Sequence, residues 1–384
     1  MNPTGSCSAL CLLLAFLPAA AGPGQGLDPA RLAKIDAAID RAIAARRLPG
    51  AVVWVEHGSG HYCKACGHRA LVPAVETMTG DTIFDVASLT KVLATVPAVM
   101  LLWERGRIKL DEPVQSCIPE FTGGGKERIT VRQLLTHTSG LPEGISTHPP
   151  WQGAATAIRM VCALKLQAPP GRDFLYSDAN FILLGEIAAR LAHMPLNEFC
   201  AGEIYQPLKM LDTGFLPGQD KLPRIAPTGQ VGGVMLRGVV HDPAARFMGG
   251  VAGHAGLFTT APDLARFARM MLNLGQLDGV RILKPDTVKM MTSVQTPPAI
   301  KARRGFGWDI DSAYSGARGA HVPIGSYGHT GVTGVALWID PFSRTFSIFL
   351  SNRLHPAGNA GVVDLYHTVA TLAAESVPDF DSHP

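Results

Sequence analysis

Ser88-Leu-Thr-Lys91 places a hydroxyl and an ammonium three residues apart, and it is the only point in the chain where Lys follows Ser by three. At the start of a helix, positions i and i+3 share a face, so the two groups can meet. Serine is a weak nucleophile unless a base stands beside it. A lysine buried with it can have its pKa lowered enough to take the proton. A helix N-terminus at Ser88 would add a field that favours negative charge there. Two further groups could join such a site. Tyr176-Ser-Asp178 holds the only tyrosine with Asp or Asn two positions on, and His329-Thr-Gly331 offers an imidazole beside a hydroxyl and a glycine. Each also has a plain structural reading: Tyr176 and Asp178 could cap a following helix, and His329 could make one hydrogen bond near a strand end.

These residues need elements to position them. Asp28-Pro29 opens a helix, with Leu32, Ile35, Ile39 and Ile43 at helical spacing up to Leu48-Pro49-Gly50. The runs AVVWVEHG and HYCKACG around Gly58-Ser59-Gly60 read as a β-hairpin. Ser88 to Arg105 reads as a buried helix, apolar nearly all round, with Pro97 expected to kink it. Thr130-Val-Arg-Gln133 is a capping box, and further helices are expected over 180–193 and 263–274. The last eighty residues turn to short β-type runs (GFGWDI, SYGHTG, GVALWIDP, TFSIFLSNR), followed by a helix from about 359 to 375. The expected fold is therefore α+β, in a single domain over 28–384. Its sheet comes from about 28–80 and 300–384, with a helical region over 81–299 inserted between them.

Composition bounds the function. The 384 residues are 47% hydrophobic and 17% charged with a net charge of +3, an ordinary globular balance. No block of like charge marks a nucleic-acid binder. Ala9 to Ala21 suits a signal-peptide core ending at Ala19-Ala20-Ala21, although no Lys or Arg precedes it. We expect residues 1–21 to be a leader, the mature chain to be exported to the periplasm or secreted, and no stable membrane span to remain. Cys63-Lys-Ala-Cys66 has redox or zinc spacing but no second pair, and reads as packing. No G-x-S-x-G, H-E-x-x-H or Walker A pattern occurs. We expect no metal and no cofactor.

Ser-x-x-Lys, Tyr-x-Asp and His-Thr-Gly, in that order, resemble the motifs of the penicillin-recognising serine hydrolases. FDVASLTK, QLLTHTSGLP, YSDANFILLG, GGVAGHAGLF and GHTGVTG are similar to stretches of the class C β-lactamase, D,D-carboxypeptidase and esterase group, from about residue 30 onward. The resemblance implies a β-lactamase/transpeptidase-like fold, an antiparallel sheet flanked by helices plus a mostly helical subdomain. It makes Ser88 the nucleophile, Lys91 its activator and Tyr176 the general base. Asp178, His329, Thr330 and Gly331 would meet substrate, and the N–H groups of Ser88 and Val332 would form the oxyanion hole. Asp178 stands where Asn is usual and should keep Lys91 protonated. His329 stands where Lys is usual. It would carry a charge that switches near neutral pH, so carboxylate recognition would weaken as pH rises. His137 and His254 read as structural, though either could line the cleft. The implied substrates are D-Ala-D-Ala-type peptides, or related amides and esters. A small-ester hydrolase, a D-aminopeptidase and a non-turnover penicillin-binding module stay open.

Overall fold

The computed structural model describes residues 26–358 and 360–378. Cys7, Cys11 and the expected leader lie outside them. Among the described residues, no helix is long and apolar enough to cross a membrane.

An eight-stranded antiparallel sheet forms the frame. Its spatial order is Arg303–Arg304, Asp309–Asp311, Tyr327–Gly331, Val335–Asp340, Thr345–Ser351, Gly50–His57, Gly60–Ala70 and Glu76–Thr77. Both ends of the chain thus supply one sheet. The join is the pairing of Gly50–His57 with Thr345–Ser351, with Val53 opposite Phe349. The hairpin read at 58–60 is present, with His57 paired to Gly60.

Successive side chains on a strand point to opposite faces, so a strand buried on both faces reads as a continuous apolar run. Gly50–His57 behaves in this way. Ala51, Val53 and Val55 pack against Leu32, Ile35 and Ile39 of the helix Pro29–Ala44 and Leu365, Tyr366 and Val369 of the helix Val363–Glu375. Val52 and Trp54 face the other way, into the core built by the middle of the chain. The terminal helices cover one face and the central helices the other. Cys63 and Cys66, three apart on a strand, fall into these two different cores with free thiols. The pair therefore does not converge on a shared ligand.

Local capping follows the sequence closely. Asp28 accepts the Ala30 N–H at 2.8 Å, and Thr130 and Gln133 form the reciprocal capping box. The helix predicted over 180–193 spans Asp178–Ala192, and its cap is the Ser177 hydroxyl. Asp178 is thereby left free of capping.

The helix expected over 88–105 differs from expectation. Lys91–Thr95 is a π-helical turn, continued by the α-helix Val96–Glu104. Pro97 has no N–H to return to the preceding turn, and the widened turn accommodates it. The Leu93 carbonyl accepts instead from the Tyr205 hydroxyl at 3.3 Å.

A second, three-stranded sheet was not read from the sequence. Leu257–Thr259 runs between Phe84–Asp85 and Gly214–Phe215. The pieces are two or three residues long and carry no periodicity of their own. They matter because Phe84–Asp85 leads directly into Ser88.

Candidate active site

Ser88 sits in a tight turn between the strand Phe84–Asp85 and the π-helical turn. Ala87 takes φ +44°, a left-handed value that a residue with a Cβ adopts only when its surroundings hold it there. Asp85 supplies the hold. Its Oδ1 accepts the Ala87 N–H at 2.9 Å and its Oδ2 the His241 N–H at 2.7 Å, while its carbonyl takes the Thr333 hydroxyl at 2.7 Å. Burial pushes the Asp85 carboxyl up to about 6, against those two N–H donors, which favour its charged form.

Lys91 lies one turn on with 0% of its side chain exposed. Its Nζ donates to Ser88 Oγ at 3.0 Å and to the His254 carbonyl at 3.0 Å, and lies 2.7 Å from Asp178 Oδ1. Burial works to lower its pKa, but the Asp178 carboxylate and the Tyr176 phenol outweigh it, and the net direction is up. Three partners for three N–H bonds describe an ammonium. Lys91 is therefore a fixed cation rather than the neutral amine that burial alone would make, as the Asp at 178 foretold.

The loop around His254 is what closes this cluster. Gly253 presses on the helix Asp178–Ala192: a Cβ there would lie 2.0 Å from the Phe181 carbonyl oxygen and 2.9 Å from Gly185 Cα. The Thr95 hydroxyl holds the Gly253 carbonyl at 2.6 Å. The glycines of GGVAGHAGLF thus let the loop slide between two helices. The buried His254 ring bonds Asp242 through Nε2 at 2.9 Å. Asp242 also caps the helix Pro243–Phe247 by accepting from Ala245 N at 2.7 Å. Burial would raise the Asp242 carboxyl, yet the bond to His254 and nearby positive charge hold it far below the usual carboxylate range. Asp178, Asp242 and His254 each bring a ligand atom within 4.8 Å of the others. In the structure Asp178 pairs with Lys91, and Asp242 with the His254 ring. Asp242 was not singled out in the sequence; an Asp before Pro signals only a helix cap.

Tyr176 is walled in by rings. His137 stacks on it at 4.5 Å, Tyr314 at 5.1 Å, and His329 lies 6.1 Å away. Lys91 Nζ is 5.2 Å from its ring centre. His137 earns this place through its backbone as well as its ring: it takes φ +57°, and its Nδ1 accepts the Ser177 N–H at 3.0 Å. Burial, and then the charges of Arg304 and Lys91, hold His137 well below its ordinary pKa.

His329 lies within the strand Tyr327–Gly331, opposite Leu337, and is 5% exposed. Burial, then Arg304 and Lys91, hold its pKa well below the usual value. A carbonyl can only accept, so the 2.7 Å contact with the Thr330 oxygen makes Nδ1 the protonated nitrogen. Among the described residues Nε2 has no hydrogen-bond partner. This corrects the expectation of a switchable positive charge. Burial first, and then the charges of Arg304 and Lys91, oppose its protonation.

Ser88, Tyr176, His329, Thr330, Gly331 and Val332 line one cleft of about 270 Å³. Among the described residues no acceptor takes the Ser88 or Val332 N–H. Both amides are thus unengaged on the same cleft. Its wall also carries Arg304, which sequence reasoning passed over. The Arg304 guanidinium, 1% exposed, bonds the Gly307 carbonyl at 3.0 Å and lies 3.3 Å from Asp309. Nothing local in Arg303-Arg304 announces a buried arginine, because its burial comes from packing over Phe174.

The arrangement joins a hydroxyl in a strained turn, a fixed ammonium, a phenol and two open amides, the parts required for acyl transfer. The Beta-lactamase family model matches residues 35–371. Over 363 residues the chain is 31% identical to the N-acetylmuramyl-L-alanine amidase of Bacillus subtilis (strain 168), covering 85% of this chain and 81% of that one. A protein of Salmonella agona (strain SL483) that carries the name D-alanyl-D-alanine carboxypeptidase is 31% identical over 333 residues, 78% and 76% of the two chains. Among solved structures, a penicillin-binding protein homologue from Caulobacter crescentus superimposes with a TM-score of 0.72 at 20% identity, over 91% of this chain and 99% of its own. EstCE1, a hydrolase with promiscuous acyltransferase activity, gives 0.72 at 22% identity, over 89% and 99%. The fold is thus β-lactamase/transpeptidase-like, and the chain belongs to the Beta-lactamase family, among the penicillin-recognising serine hydrolases.

Proposed function

We propose that the protein hydrolyses D-Ala-D-Ala-type peptides, or related amides and esters, through an acyl-enzyme on Ser88. The observation that carries this reading is the 3.0 Å contact between Ser88 Oγ and a lysine held as an ammonium, in a cleft with two unengaged amides. With Lys91 already protonated, the proton of Ser88 goes to Tyr176 reacting as its phenolate, with the Lys91 ammonium 5.2 Å from the ring centre. Ser88 Oγ bonds to the carbonyl carbon, and the Ser88 and Val332 N–H groups take the charge that develops on oxygen. Tyr176 returns the proton to the leaving nitrogen or oxygen as the scissile bond breaks. Water then attacks the ester on Ser88 and releases the acid. Asp178 serves by fixing Lys91, while Thr330 and Gly331 form the wall along which the substrate lies. The relatives' names, an amidase and a D,D-carboxypeptidase, support amides beside an amino acid over simple esters. Export belongs to the same proposal, since such substrates lie outside the cytoplasm, and it rests on the apolar run 9–21.

Incubation with benzylpenicillin, followed by intact mass, tests the nucleophile. The expected result is an adduct that Ser88→Ala abolishes, with hydrolysis of a D-Ala-D-Ala peptide lost in the same variant. Full peptide or ester hydrolysis by folded Ser88→Ala would overturn the assignment.

A further inference from the structure

Tyr176 lies in a stretch, residues 174–177, that belongs to no helix or strand. No regular hydrogen-bond ladder fixes its backbone, yet a base must stand within hydrogen-bond reach of the proton it takes. The turn after the helix Val131–Leu135 does the holding. The His137 carbonyl accepts the Leu175 N–H at 2.9 Å, and His137 Nδ1 accepts the Ser177 N–H at 3.0 Å. The residues before and after Tyr176 are thus tied to one residue, the first to its backbone and the second to its side chain. The His137 ring covers the phenol between them, with centroids 4.5 Å apart and planes 25° apart.

The clasp is itself braced. The Gly171 N–H donates to the Thr138 carbonyl at 2.7 Å, and the Ser177 hydroxyl to the Pro142 carbonyl at 2.6 Å. The Asn180 amide nitrogen lies 3.4 Å from His137 Nδ1, and the Ser139 hydroxyl orients that amide by donating to its oxygen at 2.6 Å. A ring nitrogen that accepts an N–H carries no proton, so the His137 proton is on Nε2. Tyr314 also stacks on Tyr176, but it is 50% exposed, whereas His137 is 0% exposed. His137 takes no part in the cleft wall. It can reach the reaction only through the residues that it holds.

We propose that His137 is the positioning residue for Tyr176, clasping the chain on both sides of it and its ring face so that the phenol oxygen meets the Ser88 proton. The proposal rests on the reading of Tyr176 as the general base. It assigns to the turn at 137 a part in the rate of acyl transfer, beyond the structural part that its position in a loop suggests.

The test is a double-mutant cycle, read as steady-state hydrolysis of an activated ester, with a denaturant midpoint on every sample. His137→Ala removes both the ring and the acceptor. It should lower kcat about 10- to 100-fold, with KM within about threefold, because a displaced catalytic group slows the chemistry without touching the bound substrate. His137→Asn keeps an acceptor in the place of Nδ1 and tolerates a left-handed φ, so it should recover part of that loss. In Tyr176→Phe protein, which lacks the group being positioned, either substitution should cost less than about threefold more. If His137→Ala does not fold, the cycle is read on His137→Asn, with an expected loss of about 3- to 10-fold in the parent. A parent-level kcat in the folded variant, or an equal loss in both backgrounds, overturns the proposal. Failure of the underlying reading shows separately, as full activity of Tyr176→Phe, which overturns the base assignment and the proposal with it.

Discussion

Replacing Gly331 by Ala should impair catalysis far more than folding. The φ of Gly331 is not in the left-handed region, so the backbone accepts alanine and the obstacle is contact alone. A Cβ at this position would stand 2.6 Å from the Val86 carbonyl oxygen, 2.6 Å from Val335 Cγ2 and 3.2 Å from Ala87 Cβ. Val335 can rotate away. Val86 and Ala87 cannot, because they form the turn that Asp85 locks below Ser88. Reaching an ordinary carbon-to-oxygen separation of about 3.3 Å requires the strand to retreat by about 0.7 Å. Val332 follows Gly331 and moves with it. A retreat of that size takes an oxyanion hydrogen bond of about 2.9 Å to about 3.6 Å, outside the useful range. Losing one such donor costs about 10²- to 10³-fold in kcat, whereas overpacking costs about 1–3 kcal/mol of stability. The assay is steady-state hydrolysis of an accepted ester or peptide, with a denaturant midpoint on the same samples. Gly202→Ala is the control, since nothing lies within 4 Å of that position. A folded Gly331→Ala protein with kcat within about threefold of the parent would refute the argument that this strand-to-turn spacing sets the oxyanion site.

Two further outcomes follow from the charges around the site. Asp85 has a folded pKa pushed up to about 6, above its unfolded value. Its contribution to stability is complete below about pH 4 and is lost as pH rises through about 6, a change of about 3 kcal/mol. The stability of Asp85→Asn minus that of the parent should therefore increase across this window in urea titrations, and a flat difference would contradict the burial argument. Removing the Asp178 charge in Asp178→Asn takes away the nearest group that raises Lys91. The alkaline limb of kcat/KM should then move to lower pH, and an unmoved limb would show that Lys91 does not shape the profile.

Local geometry explains what was legible in the chain. Ser88 and Lys91 are three residues apart on one helical turn, so their contact needs no tertiary information. The same holds for the Asp28 cap, the Thr130 capping box and the hairpin at residues 58–60. The strand Gly50–His57 was legible in the run AVVWVEHG, whereas its burial on both faces was not read there. Order along the chain was enough to suggest that Tyr176 and His329 belong beside Ser88, and both line its cleft. Charge states lay beyond that reading, because they depend on which distant residues a group is buried against. Lys91 is an ammonium because Asp178, from another helix, and the His254 carbonyl, from a glycine-lined loop, reach it. The His329 pKa is lowered because its ring is buried, with the charges of Arg304 and Lys91 adding to that. Ala87 takes a left-handed φ because Asp85 folds back on its N–H, and the π-turn after it exists where Pro97 removes a donor and Tyr205 replaces one. Sequence by itself determined which groups are present and which neighbours share a turn. Only the tertiary structure decided their charge environment and the widths between backbones, because both depend on residues distant in sequence.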